Sequence, residues 1–185
     1  MGVDGRDRAV GAGHSRIQPG GDTMRDNPIL TVFAVGLCWF AATGRADETK
    51  LEIKDVPEVV MKAAMAKFPG AMVQEAAKEV DGGETTYEIS LISHGLVVDL
   101  AVEAGGDIEE IETETAVSDL PKGVTRAILA RHPGAKLMKA EEILEYDDGK
   151  EDGHYFEVVI VHESRRMEVK LTAAGEFVMA ESDKD

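Results

Sequence analysis

Two hydrophobic periods alternate along the chain from residue 55 onward. Val60, Ala64 and Phe68 stand four apart, with Val59 and Ala63 beside them, so one face is apolar and the spacing predicts a helix. Asp55, Pro57 and Glu58 supply its start: a side chain able to cap, a proline for the first turn and an acid able to reach back. Pro69-Gly70 stops it, because proline cannot continue a helix and glycine accepts the positive φ that follows. Beyond that point the period falls to two. Val73 to Val80 reads as a strand diluted by Ala76 and Ala77. Tyr87, Ile89 and Leu91 alternate with Glu88, Ser90 and Ile92, then Val98, Leu100 and Val102 with Asp99 and Ala101. Ile108 to Thr113 is a fourth strand, and glycine-bearing turns separate all four.

The chain then repeats itself. Val56-Pro57 to Phe68-Pro69-Gly70-Ala71 returns 64 residues later as Leu120-Pro121 to His132-Pro133-Gly134-Ala135, with Asp119, Val124 and Ile128 in the matching roles. Tyr87-Glu88-Ile89 returns as Phe156-Glu157-Val158, and Asp99 to Val102 as Glu168 to Leu171, now at an offset of 69. The second copy therefore carries five extra residues in an internal loop, and its strands read as Leu137–Leu144, Phe156–Val161, Met167–Leu171 and Phe177–Ala180. Such a recurrence predicts an α+β fold of two tandem units over residues 55–114 and 118–182, each one helix packed on a four-stranded antiparallel meander sheet. A unit of about 65 residues buries too little surface to stand comfortably alone, so the pair is expected to share an interface or a continuous sheet. Ile92, Val97, Val159 and Val161 point away from the helix side. They are expected either to pack between repeats or to floor a shallow apolar site.

Ahead of the repeats, residues 1–23 hold six of the nineteen glycines and no apolar period, and read as a disordered or mis-started leader. Met24 opens a different pattern: Arg25, an apolar run from Ile29 to Ala42, then small residues to Ala46. The run is shorter than the roughly 20 apolar residues a bilayer span needs. Residues 24–46 therefore read as a signal peptide cleaved after Ala46, with a membrane anchor or buried helix as the alternatives. Either Met1 or Met24 serves as the start. Cys38, the sole cysteine, lies inside the run, so the exported part would hold no thiol nucleophile, redox pair or thiolate metal site. Asp47 to Asp55 reads as a polar linker.

Charge narrows the partners. Without residues 1–46 the chain keeps 15 Lys and Arg (20 less 5) against 32 Asp and Glu (36 less 4), a net charge near −17. That field has the wrong sign for nucleic acid and for an anionic membrane surface.

The Pro-Gly-Ala helix ends, the Tyr-Glu-Ile and Phe-Glu-Val strands and the Ala-Gly-Gly-Asp and Ala-Ala-Gly-Glu turns resemble the PepSY-like group, which is similar in fold to the beta-lactamase-inhibitor protein. The resemblance covers residues 55–181. It implies an exported or membrane-facing, non-catalytic domain that binds or restrains another protein, peptidases among them.

No constellation of reactive residues displaces that expectation. Asp147 to Gly153 is acidic, but a calcium loop counted from Asp148 has Lys150 third and Val159 twelfth, where oxygen ligands are needed. The segment reads as an acidic hairpin tip, with a weak surface calcium site as the alternative. His94, His132, His154 and His162 do not converge at zinc-ligand spacing, and His132 replaces Phe68 as a ring packing at a helix end. Ser90, Ser93, Ser118 and Ser164 lack a nucleophile elbow. Glu109-Glu110 and Glu141-Glu142 read as solvated pairs facing opposite sides of a strand. The sequence thus predicts an exported protein without enzymatic activity, metal or cofactor, periplasmic or secreted, with another protein as partner. It would have no stable membrane insertion after cleavage. Its expected contact surface is Ile92, Val97, Val159 and Val161 with Arg165 and Arg166. A calcium-responsive periplasmic protein is the second reading.

Overall fold

The structure is a computed structural model that describes residues 48–178 and 182–183. The leader, the signal peptide, its cleavage site and Cys38 lie outside those residues. Nine strands form one antiparallel sheet in sequence order: β1 Thr49–Leu51, β2 Met72–Asp81, β3 Glu84–Ser93, β4 Leu96–Glu103, β5 Ile108–Thr115, β6 Lys136–Asp147, β7 Lys150–His162, β8 Arg165–Thr172 and β9 Ser182–Asp183. Helix α1, Glu58–Lys67, lies between β1 and β2, and α2, Lys122–Arg131, between β5 and β6.

Two separate helix-on-sheet units are therefore not what forms. β5 and β6 pair over six positions, from Glu110↔Glu145 to Thr115↔Ala140. An unpaired strand edge is costly and invites wrong pairing, and this pairing removes the two edges that independent units would expose. The result is a single, mostly β body with two short helices. The linker expected over Asp47–Asp55 also fails in part, since Thr49–Leu51 adds an edge strand through Leu51↔Ala76. Three residues are too few to show a period. At the other end Phe177 makes only an isolated bridge to Leu171, so no strand begins there; Met179 and Ala180 lie outside the described residues.

Each helix starts later than its aspartate suggested. Asp55 and Asp119 close short 3₁₀ turns, and the N-cap positions are Pro57 and Pro121 without a side-chain cap. Val56 and Leu120 precede proline and are held extended, at ψ 133° and 141°. That restriction separates the aspartates from the helices. The helix ends behave as expected, with Phe68 N and His132 N bonded to the carbonyls of Ala64 and Ile128 and both following glycines at positive φ. The extra residues of the second copy lengthen β6 and β7 and end in Asp148-Gly149, both at positive φ (48° and 71°), the geometry of a two-residue hairpin turn.

Both helices cover the same face. Val60 and Ala64 pack with Ile89, Leu91, Leu100 and Ile111, while Val124 and Ile128 pack with Val158, Ile160, Val169 and Leu171. Leu144 and Tyr146, from β6, join the first of these clusters, so the core crosses the join between the halves.

Candidate functional site

The face away from the helices is where the sequence placed a contact surface. Cross-strand register sets its rows. One row runs Ser90, Asp99, Glu112, Ile143, Tyr155 and Thr172; a neighbouring one runs Glu114, Glu141, Glu157 and Lys170; another carries Ala101, Glu110 and Glu145. The middle of the face is therefore carboxylate rather than apolar. Moreover, these are not solvated positions: Glu141 is 3% exposed, Glu168 6%, Glu112 8% and Glu110 9%. The reading of Glu110 and Glu141 as solvated is thus overturned, although each does face opposite to its neighbour. Glu142, on the helix side, bonds His154 at 2.7 Å.

Two lysines answer part of the charge. Lys170 is 3% exposed, lies 2.7 Å from Glu145 and 3.8 Å from Glu110, and sits 4.8 Å from the centre of the Tyr155 ring. Lys139 bonds Glu141 at 2.8 Å. Protons must answer for more. Burial, then the charges of Glu110, Glu141 and Asp99, push Glu112 up to about 9 against the pull of Lys139. Burial, then a hydrogen bond and charge repulsion from Glu168, push Glu157 up to about 10. Glu157 and Glu168 hold one proton between them, because neighbouring carboxylates in a dry site cannot both ionise. Nearer β2, burial followed by Glu48, Glu79 and Asp99 raises Glu88 to about 7. Burial also raises Asp99, opposed first by a hydrogen bond with Ser90.

Asp99, Glu112 and Glu141 converge, with one carboxylate oxygen from each within 4.8 Å of the others. They come from β4, β5 and β6, so the paired strands on either side of the join assemble this group. An oxygen-only donor set of this kind suits a hard cation.

The expected contact residues sit around this centre. Ile92 pairs with Val97 across the β3–β4 hairpin, and Val161 with Arg166 across β7–β8. Two strands lie between the pairs, three inter-strand steps of about 4.8 Å or roughly 14 Å across the sheet, and the second pair is also displaced along the strands. They are two patches, not one floor. Val159 is 4% exposed, enclosed laterally by Lys139 and Glu168, and so is unavailable as contact surface. Ile92, Val97 and Val161 are half-buried, while Arg165 and Arg166 are exposed near the β7–β8 turn. His132 behaves as expected, buried with its ring 5.3 Å edge-on to His162. The acidic centre was missed, yet a signal existed: Glu110, Glu112 and Glu114 stand at period two in a strand now known to be central. The Asp147–Gly153 segment is the exposed β6–β7 tip apart from Gly153 itself, which is buried.

A continuous antiparallel meander with both helices on one face places the chain in the BLIP-like fold class. No protein-family model matches the sequence, and no curated protein matches it. Solved structures do align. A DUF2874 family protein from Bacteroides uniformis superposes at a TM-score of 0.57 and 14% identity, covering 69% of this chain and 88% of that one. A BLIP-like protein from Bacteroides fragilis gives 0.54 and 15%, covering 69% and 85%. A protein described as a candidate periplasmic one, from Bacteroides eggerthii, gives 0.57 and 12%, covering 69% and 88%. At these identities the likeness is one of fold. No helix among the described residues is long and apolar enough to cross a membrane.

Proposed function

We propose that this chain is an exported, non-enzymatic binding protein whose helix-free sheet face engages another protein, acting as its regulator or inhibitor. The observation that carries the reading is the organisation of that face: a carboxylate-rich centre between two apolar-edged patches, Ile92 with Val97 and Val161 with Arg166. Such a face suits a partner that offers Lys or Arg side chains to the half-exposed acids Asp99, Glu114 and Glu145 and apolar contacts at the rims. The BLIP-like fold and the candidate periplasmic description of one aligned structure support binding and export. The apolar run ending at Ala46 supports a periplasmic or secreted location. Recurrence at offsets of 64 and 69, together with the twice-run order of helix and strands, supports descent from two PepSY-like units over 55–114 and 118–182.

Affinity capture by the immobilised protein from its source's periplasmic extract, compared with Val161→Asp and Ile92→Asp, tests the reading. Both variants are expected to keep the wild-type circular dichroism spectrum and to lose the captured protein, and wild-type capture is expected to weaken with added salt. Undiminished capture by both folded variants, or capture insensitive to salt, would overturn it.

A further inference from the structure

The carboxylate centre carries a more specific consequence, independent of any protein partner. Asp99, Glu112 and Glu141 approach from three adjacent strands and present oxygens within 4.8 Å of one another. Calcium takes roughly six to eight oxygens, several of them carboxylate, in a flexible shell, whereas magnesium keeps most of its waters and takes one or two carboxylates, so three protein carboxylates suit calcium better. Glu112 is 8% exposed, and its Oε2 is buried with no hydrogen-bond partner. A buried carboxylate oxygen without a donor is costly and points to a missing partner. Lys139, bonded to Glu141 at 2.8 Å, offsets one of the three carboxylates, and a cation bound here takes the place of the proton on Glu112. Glu110, Glu114 and Ser90 surround the group on the same face and add oxygens, whereas no histidine or cysteine belongs to it, which disfavours zinc and copper. Half-buried Asp99 links the group to solvent.

We infer that Asp99, Glu112 and Glu141 form a calcium site that fastens β4, β5 and β6 together across the join between the two halves. Binding there stabilises the sheet by mass action, because the unfolded chain does not hold these strands in register.

The full-length protein, stripped with a chelator, is titrated with calcium chloride by calorimetry and by thermal unfolding. One calcium per chain is expected, with a dissociation constant on the order of 10⁻⁴ to 10⁻³ M, as in extracellular modules, and a rise in Tm that saturates with binding. Glu112→Gln is expected to weaken binding by at least about tenfold, as is Asp99→Asn, which serves where the first variant does not fold. Asp148→Asn, at the β6–β7 tip, is expected to bind as wild type. Absence of saturable binding up to 10-fold above that range would overturn the proposal. Unchanged affinity in both site variants, loss in Asp148→Asn instead, or an equal Tm rise with magnesium would do the same.

Discussion

Raising the pH should weaken this protein, and replacing Glu157 should lessen the effect. Glu112 and Glu157 rise from 4.5 to about 9 and about 10 in the folded chain. The folded state therefore holds protons that the unfolded state has released. Stability from these groups is full below pH 4.5 and declines as pH climbs through the folded values. Between pH 6 and 8 each group contributes a slope of about −1.4 kcal/mol per pH unit, so the pair gives about −2.7 kcal/mol per unit. Across that window the loss reaches about 5 kcal/mol, comparable with the whole stability of a small domain. Glutamine matches the protonated form of Glu157 in shape and in its ability to donate to Glu168. The Glu157→Gln variant should therefore equal wild type near pH 5 and fall at about half the slope above it. Urea unfolding at pH 6, 7 and 8 in chelating buffer measures both curves. Wild-type stability that is flat or rises over this range, or a variant with the wild-type slope, would mean that the folded chain does not hold these protons.

Three further outcomes follow from packing and charge. Lys170→Met removes the ammonium between Glu145 and Glu110 and should cost about 3–5 kcal/mol at pH 7 by denaturant unfolding, less at pH 5 where the stranded carboxylates protonate. Gly123→Ala should cost about 1–3 kcal/mol, read as a lowered Tm, because a Cβ there would lie 2.5 Å from the Ala173 carbonyl oxygen. Ile111→Ala should cost about 2–5 kcal/mol, and since Ile111 packs in a cluster reached by residues from both halves, calorimetry should show one transition rather than two.

The elements of this fold were legible because each rests on a local signal. Val60, Ala64 and Phe68 marked α1 by spacing, Gly70 and Gly134 marked where the helices stop, and Tyr87, Ile89 and Leu91 marked which side of β3 is buried. What periodicity cannot convey is how the elements join. Nothing in Ile111 or Leu144 announces that they lie opposite each other, and that pairing turns two expected units into one sheet. The same limit hid the site. Glu110 and Glu141 looked solvated because a glutamate in isolation is assigned to water; only placing β5 and β6 at the centre of the sheet makes them buried. Asp55 and Asp119 misled for a different reason, as proline's restriction on the preceding residue outweighed their capping tendency. Val159 alternated as an outward residue should, but its lateral neighbours Lys139 and Glu168 close over it.

The central claim is that the helix-free face holds buried carboxyls that keep their protons at neutral pH. Carbon-13 NMR of the side-chain carboxyls, followed from pH 4 to pH 10 in the absence of calcium, reads this residue by residue. Glu112 and Glu157 should still show protonated shifts at pH 7.5 while the exposed acids of the β6–β7 tip have long since ionised. Complete ionisation of every glutamate below pH 6 in the folded protein would contradict it.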